Sequence, residues 1–120
     1  MLERRPTHQG VEAAARRIAG KVTRTPLLPV EIGGTRSWVK AECLQQGGAF
    51  KLRGATNRLM LHSPEERRRG VDAFSSGNHA QGVALAAQRA GIRATVFMPD
   101  GAPIPKENAT RGYGAVVVFG

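Results

Sequence analysis

The chain has 120 residues, of which 41% are hydrophobic and 22% are charged, a balance that fits one folded domain and excludes a disordered tail. Its formal net charge is +9, but the basic residues are scattered from Arg4 to Arg111, and aromatic residues make up only 5% of the chain. Scattered charge and few stacking platforms argue against nucleic-acid binding.

Three features of the sequence bear on location. It has no run of about 18 apolar residues that could span a bilayer. Its first ten residues, MLERRPTHQG, lack the apolar stretch of a secretion signal. The single cysteine, Cys43, cannot form an internal disulfide, which favours a reducing compartment, and we interpret it as a small buried apolar side chain. We therefore expect a cytoplasmic protein that does not bind membranes.

The first third of the chain predicts a surface helix followed by extended segments. Four apolar residues have the i, i+3, i+4, i+7 spacing of an amphipathic helix: Val11, Ala14, Ala15 and Ile18. Gly20 marks the expected end of that helix. Residues 25–29 are expected to be extended, because a residue before proline avoids the helical region. After a turn at residues 33–34, the alternation of residues 37–42 predicts a strand.

The middle of the chain predicts two helices and a strand. A helix begins at Lys51, after the glycine pair at residues 47–48, and its apolar face is formed by Leu52, Ala55 and Leu59. A second helix begins after Ser63, because a serine cap, a proline at the first position and a glutamate at the third favour a helix start. It is expected to end near Gly70, and residues 71–74 predict a short buried strand.

The last third of the chain alternates between strands and helices. Residues 75–79 (SSGNH) form a polar turn before a helix that ends at Gly91, with an apolar face of Ala80, Val83, Ala84 and Ala87. A strand, a proline-rich loop, a helix and a strand then follow at residues 94–98, 99–105, 106–111 and 115–119. This order predicts an α/β fold in which helices pack on the faces of a parallel sheet.

The predicted topology indicates where a ligand would bind. Open parallel sheets bind ligands beyond the carboxyl ends of their strands, and the polar turn at 75–79 lies at such an end. Lys51 has two interpretations from the residues alone, a solvated surface lysine or a desolvated amine, and the first is favoured. His8 and His62 lack the spacing of metal ligands, so we expect them at the surface and predict no metal site.

Several motifs occur in order and together resemble a known family. They are K-x-E-x-x-Q at 40–45, G-A-F-K-x-R-G-A at 48–55, S-S-G-N-H-A-Q at 75–81, M-P-x-x-A-P-x-x-K at 98–106 and T-R-G-Y-G-A at 110–115. The set resembles the fold-type II pyridoxal-phosphate enzymes, in particular the serine/threonine dehydratases (threonine ammonia-lyases) and the serine racemases, over about residues 24–118. This implies the parallel three-layer sheet of the tryptophan synthase β-like fold, in incomplete form.

The resemblance also implies a domain arrangement. Residues 1–48 would belong to a large domain, and residues 49–120 would form a truncated small domain on the side of the cofactor. In this family, the glycine-rich loop around the cofactor phosphate and the group facing the pyridine nitrogen lie beyond the matched region. We therefore expect the chain to be the N-terminal portion of an enzyme and to be inactive alone.

The resemblance assigns roles to individual residues. Lys51 matches the lysine that binds pyridoxal 5'-phosphate covalently, and Phe50 and Asn78 match cofactor-binding positions, with the Asn78 amide on the ring hydroxyl. Substrate-binding positions are implied for Ser75, Ser76, Gly77, Asn78 and His79. Ser76 also matches the second acid/base of the racemases, so Lys51 and Ser76 are the candidate catalytic residues.

The implied reaction is β-elimination of L-threonine or L-serine to a 2-oxo acid and ammonia, in amino-acid metabolism that includes isoleucine biosynthesis. The implied partners are a small amino-acid substrate and, in the full-length enzyme, further copies of the same chain. A serine racemase-like enzyme and a non-enzymatic domain stay open as alternatives. Departures from the dehydratase pattern at Gly47, Ala49 and Asp72 favour the non-enzymatic alternative, whereas Lys51 and the motif at 75–81 favour the enzyme.

Overall fold

The structure is a computed structural model that describes residues 5–120. Its elements in chain order are α1 (His8–Ile18), β1 (Leu27–Ile32), β2 (Thr35–Lys40), a 3-10 helix (Glu42–Leu44), α2 (Lys51–Met60), α3 (Pro64–Arg69), β3 (Val71–Phe74), α4 (Asn78–Ala90), β4 (Ala94–Met98), α5 (Ile104–Gly112) and β5 (Val116–Phe119). β1 and β2 form an antiparallel pair, and β3, β4 and β5 form a parallel sheet in that order. The predicted α/β class and parallel sheet are confirmed.

Local chemistry sets several element boundaries. The Ser63 side chain accepts a hydrogen bond from the Glu66 backbone N–H, and the Glu66 carboxylate accepts one from the Ser63 backbone N–H. This reciprocal cap fixes the start of α3 as predicted. Gly91 ends α4 in the left-handed conformation, with φ 65°, which glycine adopts without steric cost.

Several predicted boundaries are wrong by one or two residues, among them those of β2, α4 and α5. β2 ends at Lys40, because the chain turns into the 3-10 helix at Glu42. α4 already begins at Asn78, inside the expected polar turn. α5 begins at Ile104, two residues early, because prolines are tolerated at the N-terminal end of a helix.

The parallel sheet is covered on one face within residues 5–120. Right-handed crossovers, the rule for parallel strands, would place α4 and α5 on the same side of a sheet in the order β3-β4-β5. α4 packs on β3 and β4, and α5 packs on β5. On the other side Phe74 is 79% exposed and stacks on Phe97 with 4.9 Å between ring centroids. The uncovered face consists of Asp72, Phe74, Thr95, Phe97, Val116 and Val118. Within residues 5–120, the predicted helices therefore cover one face of the incomplete sheet.

The middle of α4 is buried on all sides, although its sequence predicts one apolar face. Residues 80–87 are all buried, because α4 lies between the sheet and α2. Small side chains allow this approach: a Cβ placed on Gly82 would lie 3.0 Å from the carbonyl carbon of Lys51 and 3.2 Å from the backbone nitrogen of Leu52. Gly82 therefore permits the close contact between α4 and the first turn of α2.

The exposure of three further side chains can be compared with what the sequence predicted. Cys43 is exposed on the 3-10 helix instead of buried. His62 is half-buried, and its Nδ1 has no hydrogen-bond partner among residues 5–120, so the surface interpretation is wrong for this residue. Asp72, one of the departures from the dehydratase pattern, is exposed on β3, so its carboxylate stays in water. No helix within residues 5–120 is long and apolar enough to cross a membrane.

Candidate active site

Lys51 opens α2 with an accessible amine. Gly47 and Gly48 have φ values of 79° and 75°, so the chain turns there through a conformation that favours glycine. Lys51 is exposed, and its Nζ lies 5.1 Å from the centroid of the Phe50 ring, which is itself 58% exposed. An amine and an aromatic ring are therefore presented together to solvent.

A hydrogen-bond network, here named the polar clamp, ties the start of α2 to the N-terminal chain. Its members are Thr23, Thr25, Lys40, Glu42, Gln45 and Arg53. Arg53 donates from Nε and Nη2 to the two carboxylate oxygens of Glu42, at 2.8 and 2.6 Å, and from Nη2 to the Thr23 carbonyl oxygen at 3.1 Å. Because Arg53 lies two residues after Lys51, the clamp holds the turn that carries the candidate lysine.

Two further contacts complete the polar clamp. The buried Gln45 side chain accepts from the Thr23 N–H at 2.9 Å and donates to the Thr23 carbonyl at 2.8 Å. Thr25 Oγ1 donates to Glu42, and Lys40 Nζ donates to the Thr25 carbonyl oxygen. The motif residues Lys40, Glu42 and Gln45 thus make structural contacts that were not predictable from their motif.

The electrostatics of the polar clamp are strong. Hydrogen bonds from Arg53 lower the pKa of Glu42 from its ordinary 4.5 to about 2, and hydrogen bonds with Thr25 and Gln45 contribute in the same direction while burial opposes them. The same hydrogen bonds raise the pKa of Arg53. Both side chains therefore stay charged at neutral pH.

The polar turn lies at the carboxyl end of β3, as predicted. The Ser75 N–H donates to the Phe97 carbonyl oxygen at 3.0 Å, and the Gly77 N–H donates to Ser75 Oγ at 3.2 Å. Ser75, Ser76 and Gly77 are half-buried. These contacts fix the loop that leads into the N-terminus of α4.

Asn78 and Lys51 occupy the same corner of the molecule. Asn78 is the first residue of α4, and Gly82 lies four residues later, on the same helical face. Because Gly82 is the residue against the Lys51 backbone, Asn78 lies one helical turn from that contact. Its side-chain Oδ1 accepts a hydrogen bond from Lys106 Nζ at 2.7 Å. Lys106 belongs to a motif of the sequence, but no role was predicted for it.

His79 is placed differently from its neighbours in the motif. It lines a cleft of about 410 Å³ between α2, β3 and α4, together with Arg58, His62 and Asp72. Lys51 is not part of that lining. The structure therefore brings Phe50, Lys51 and Asn78 to one corner and places His79 beside a separate cleft.

The part of the sequence that forms this corner lies within the match to a known protein family. A family model described as pyridoxal-phosphate dependent enzyme matches residues 18–120, which is most of the chain. The chain belongs to that family. The resemblance drawn from the ordered motifs is therefore confirmed.

Individual members of the pyridoxal-phosphate family are similar in sequence and structure. The L-threo-3-hydroxyaspartate ammonia-lyase of a Pseudomonas species is 48% identical over 118 residues, which are 94% of this chain and 37% of that protein. The L-threonine ammonia-lyase of Thermotoga maritima is 47% identical over 117 residues, 94% of this chain and 29% of that protein. Maize serine racemase superimposes with a TM-score of 0.85 at 38% identity, over 91% of this chain and 34% of the maize chain. The chain thus spans about a third of the length of its relatives.

The residues at this corner suit the cofactor of the pyridoxal-phosphate family. The Lys51 amine can bond covalently to an aldehyde carbon. Asn78, whose Oδ1 is occupied by Lys106, keeps its Nδ2 as a donor for a ring oxygen. The roles of Phe50, Lys51, Ser76 and the other motif residues stay predictions, as does the domain boundary at residues 48–49.

Two departures from the dehydratase pattern have structural reasons. Gly47 has a φ of 79°, which disfavours any residue with a side chain. Ala49 is 9% exposed, so a small side chain fits there. Neither departure therefore requires loss of the site.

Proposed function

We propose that this chain supplies the lysine-bearing part of a pyridoxal-phosphate dependent ammonia-lyase that converts L-threonine or L-serine to a 2-oxo acid and ammonia. The observation that carries the proposal is the exposed Lys51 amine at the start of α2, where the Lys51 backbone packs against Gly82, one helical turn after Asn78 in α4. The names of the two ammonia-lyase relatives support a β-hydroxy amino acid as substrate class, and 3-hydroxyaspartate belongs to the same class.

The residues of this chain have distinct tasks in such a reaction. Pyridoxal phosphate, when bound, supplies an electron sink that weakens the bonds to the substrate α-carbon. The Lys51 Nζ, once free, takes the α-proton as a general base. The Ser76 backbone N–H, the Ser75 and Ser76 hydroxyls and the N-terminus of α4 hold the substrate carboxylate, because the Ser75 and Gly77 N–H groups already have partners within the protein. Asn78 orients the cofactor ring by donating to its oxygen.

A racemase is the second candidate. The similarity to maize serine racemase favours it, and so does the half-buried Ser76, whose hydroxyl would serve as the second acid/base. A non-enzymatic role is disfavoured, because the departures at Gly47 and Ala49 follow from the backbone and packing of this chain. A cytoplasmic homo-oligomer in amino-acid metabolism remains our proposal for the whole protein.

Reduction with borohydride tests the central claim. The purified chain is incubated with pyridoxal phosphate, reduced, digested and mapped by mass spectrometry, with Lys51→Ala as the test variant and Lys21→Ala as the matched control at another exposed lysine. We expect the label on Lys51, unchanged in Lys21→Ala and absent in Lys51→Ala. Labels spread evenly over the lysines would contradict the proposal. Labelling is preferred to turnover because the chain spans about a third of its relatives.

A further inference from the structure

Lys106 makes a long-range contact at the candidate site. It lies 28 residues after Asn78 and on a different helix, and its Nζ reaches Asn78 Oδ1 at 2.7 Å. Its own backbone is held in α5, since the Lys106 N–H donates to the Pro103 carbonyl at 2.8 Å and the Lys106 carbonyl accepts from Thr110 Oγ1 at 2.8 Å. Thr110 is fully buried, so the Lys106 backbone is hydrogen-bonded to a side chain that is anchored in the core one turn further along α5.

This contact determines which end of the Asn78 amide faces a ligand. A lysine ammonium has three hydrogen-bond donors and no acceptor, so the amide atom that faces it must be the carbonyl oxygen. No hydrogen bond within residues 5–120 uses Asn78 Nδ2. Without Lys106, the amide could turn by half a rotation and present its oxygen, which cannot donate a hydrogen bond and would repel a deprotonated ring oxygen.

We propose that Lys106 is a positioning residue that fixes Asn78 as a hydrogen-bond donor toward the ring oxygen of the bound cofactor. The inference rests on the proposed function, because the acceptor is the ring hydroxyl oxygen of pyridoxal phosphate. Lys106 acts through Asn78 and does not touch the cofactor. The corner thereby selects an aromatic ligand with an acceptor at that ring position.

The first test requires no cofactor. Side-chain ¹⁵N relaxation of the Asn78 amide is measured in the full 120-residue chain, in Lys106→Met and in Lys106→Arg, which keeps a donor. The amide order parameter should fall in Lys106→Met and stay close to its original value in Lys106→Arg. Asn57, whose Oδ1 accepts from Arg17 Nη1, is the internal control and should not change. An Asn78 amide that is equally rigid in Lys106→Met overturns the proposal.

The second test is a double-mutant cycle read by the dissociation constant of pyridoxal phosphate. Lys106→Met should weaken binding about 3- to 10-fold, the effect of one hydrogen bond, and Lys106→Arg should restore most of it. In an Asn78→Ala background, Lys106→Met should have no further effect. 3-Deoxypyridoxal phosphate, which lacks the ring oxygen, should bind the original chain and Lys106→Met equally.

The outcomes separate this inference from the proposed function. If Lys106→Met weakens binding equally with and without Asn78, Lys106 contacts the ligand directly and the positioning role is wrong. If Lys51 is not labelled in the original chain, the proposed function fails. The Asn78 relaxation then decides alone whether Lys106 orients the amide.

Discussion

The backbone around Lys51 is fixed by packing and hydrogen bonds, whereas the side chains of Lys51 and Phe50 are exposed. We call these the held side and the open side of the site. On the held side, the polar clamp and Gly82 fix the backbone, and the Glu42 and Arg53 side chains are only 16% and 30% exposed. On the open side, the Lys51 and Phe50 side chains face solvent. Residues that place the lysine are thus distinct from residues that can meet a ligand, and substitutions on the two sides should change different quantities.

The largest difference is expected between two adjacent residues. Leu52 is 1% exposed, so Leu52→Ala should lower the free energy of unfolding by about 2–5 kcal/mol through lost burial and a cavity. Lys51→Ala should change it by less than about 0.5 kcal/mol, because that side chain is exposed. Urea denaturation measures both. Equal losses would show that Lys51 belongs to the held side.

The polar clamp provides the next comparison. Glu42→Gln leaves the half-buried Arg53 charge without its partner and should cost about 2–3 kcal/mol. Glu12→Gln removes an exposed carboxylate that pairs with Arg16 at 3.8 Å and should cost no more than about 0.5 kcal/mol. The same denaturation experiment compares them, and a Glu42→Gln cost as small as that of Glu12→Gln would mean that the clamp does not stabilise the fold.

Two helical glycines should respond with opposite sign to the same substitution. A Cβ at Gly82 meets the Lys51 backbone, so Gly82→Ala should cost about 1–3 kcal/mol. A Cβ at Gly54 meets nothing within 4 Å, so Gly54→Ala should stabilise α2 by about 0.5–1 kcal/mol. The midpoints of thermal unfolding report both signs. Stabilisation by Gly82→Ala would disprove the close contact at Lys51.

The smallest difference expected between a compared pair of proteins is the pH dependence of the polar clamp. The folded-state pKa of Glu42 is depressed from 4.5 to about 2, so its stabilisation is present above pH 4.5 and is lost as the pH falls toward 2. Between pH 5 and pH 3 the original chain should lose about 1–2 kcal/mol more than Glu42→Gln. Denaturation at several pH values measures this gap, and parallel pH curves would contradict the Glu42 assignment.

Boundaries set by local chemistry were predictable from the sequence. The reciprocal cap of Ser63 and Glu66 and the left-handed Gly91 act within a few residues, and both were found where expected. Burial set by tertiary packing was not. Val11 lies on the predicted apolar stripe yet is 61% exposed. Residues 80–87 of α4 are buried all round because α2 covers the outer side of that helix.

The candidate site divides in the same way. Lys51 and Asn78 were identified from motifs whose family is confirmed. The partners that hold them were missed, because Glu42 and Arg53 are 11 residues apart and Asn78 and Lys106 are 28 apart, on different elements. The spacing of hydrophobic residues predicts helices and strands but not contacts between polar residues on different elements. These pairs become visible only in the folded structure.

The uncovered face of the parallel sheet has a thermodynamic consequence. The heat-capacity change of unfolding grows with the apolar area that the folded state removes from water. Phe74, Val116 and Val118 are already exposed on that face in the folded chain. Unfolding therefore exposes little more of their apolar area, and they add little to the heat-capacity change. The stability curve of the chain should accordingly be flatter with temperature than that of a domain whose sheet is covered twice. A partner that binds this face would bury its apolar side chains and so increase the curvature of the stability curve. Calorimetry would detect this as a larger heat-capacity change of unfolding.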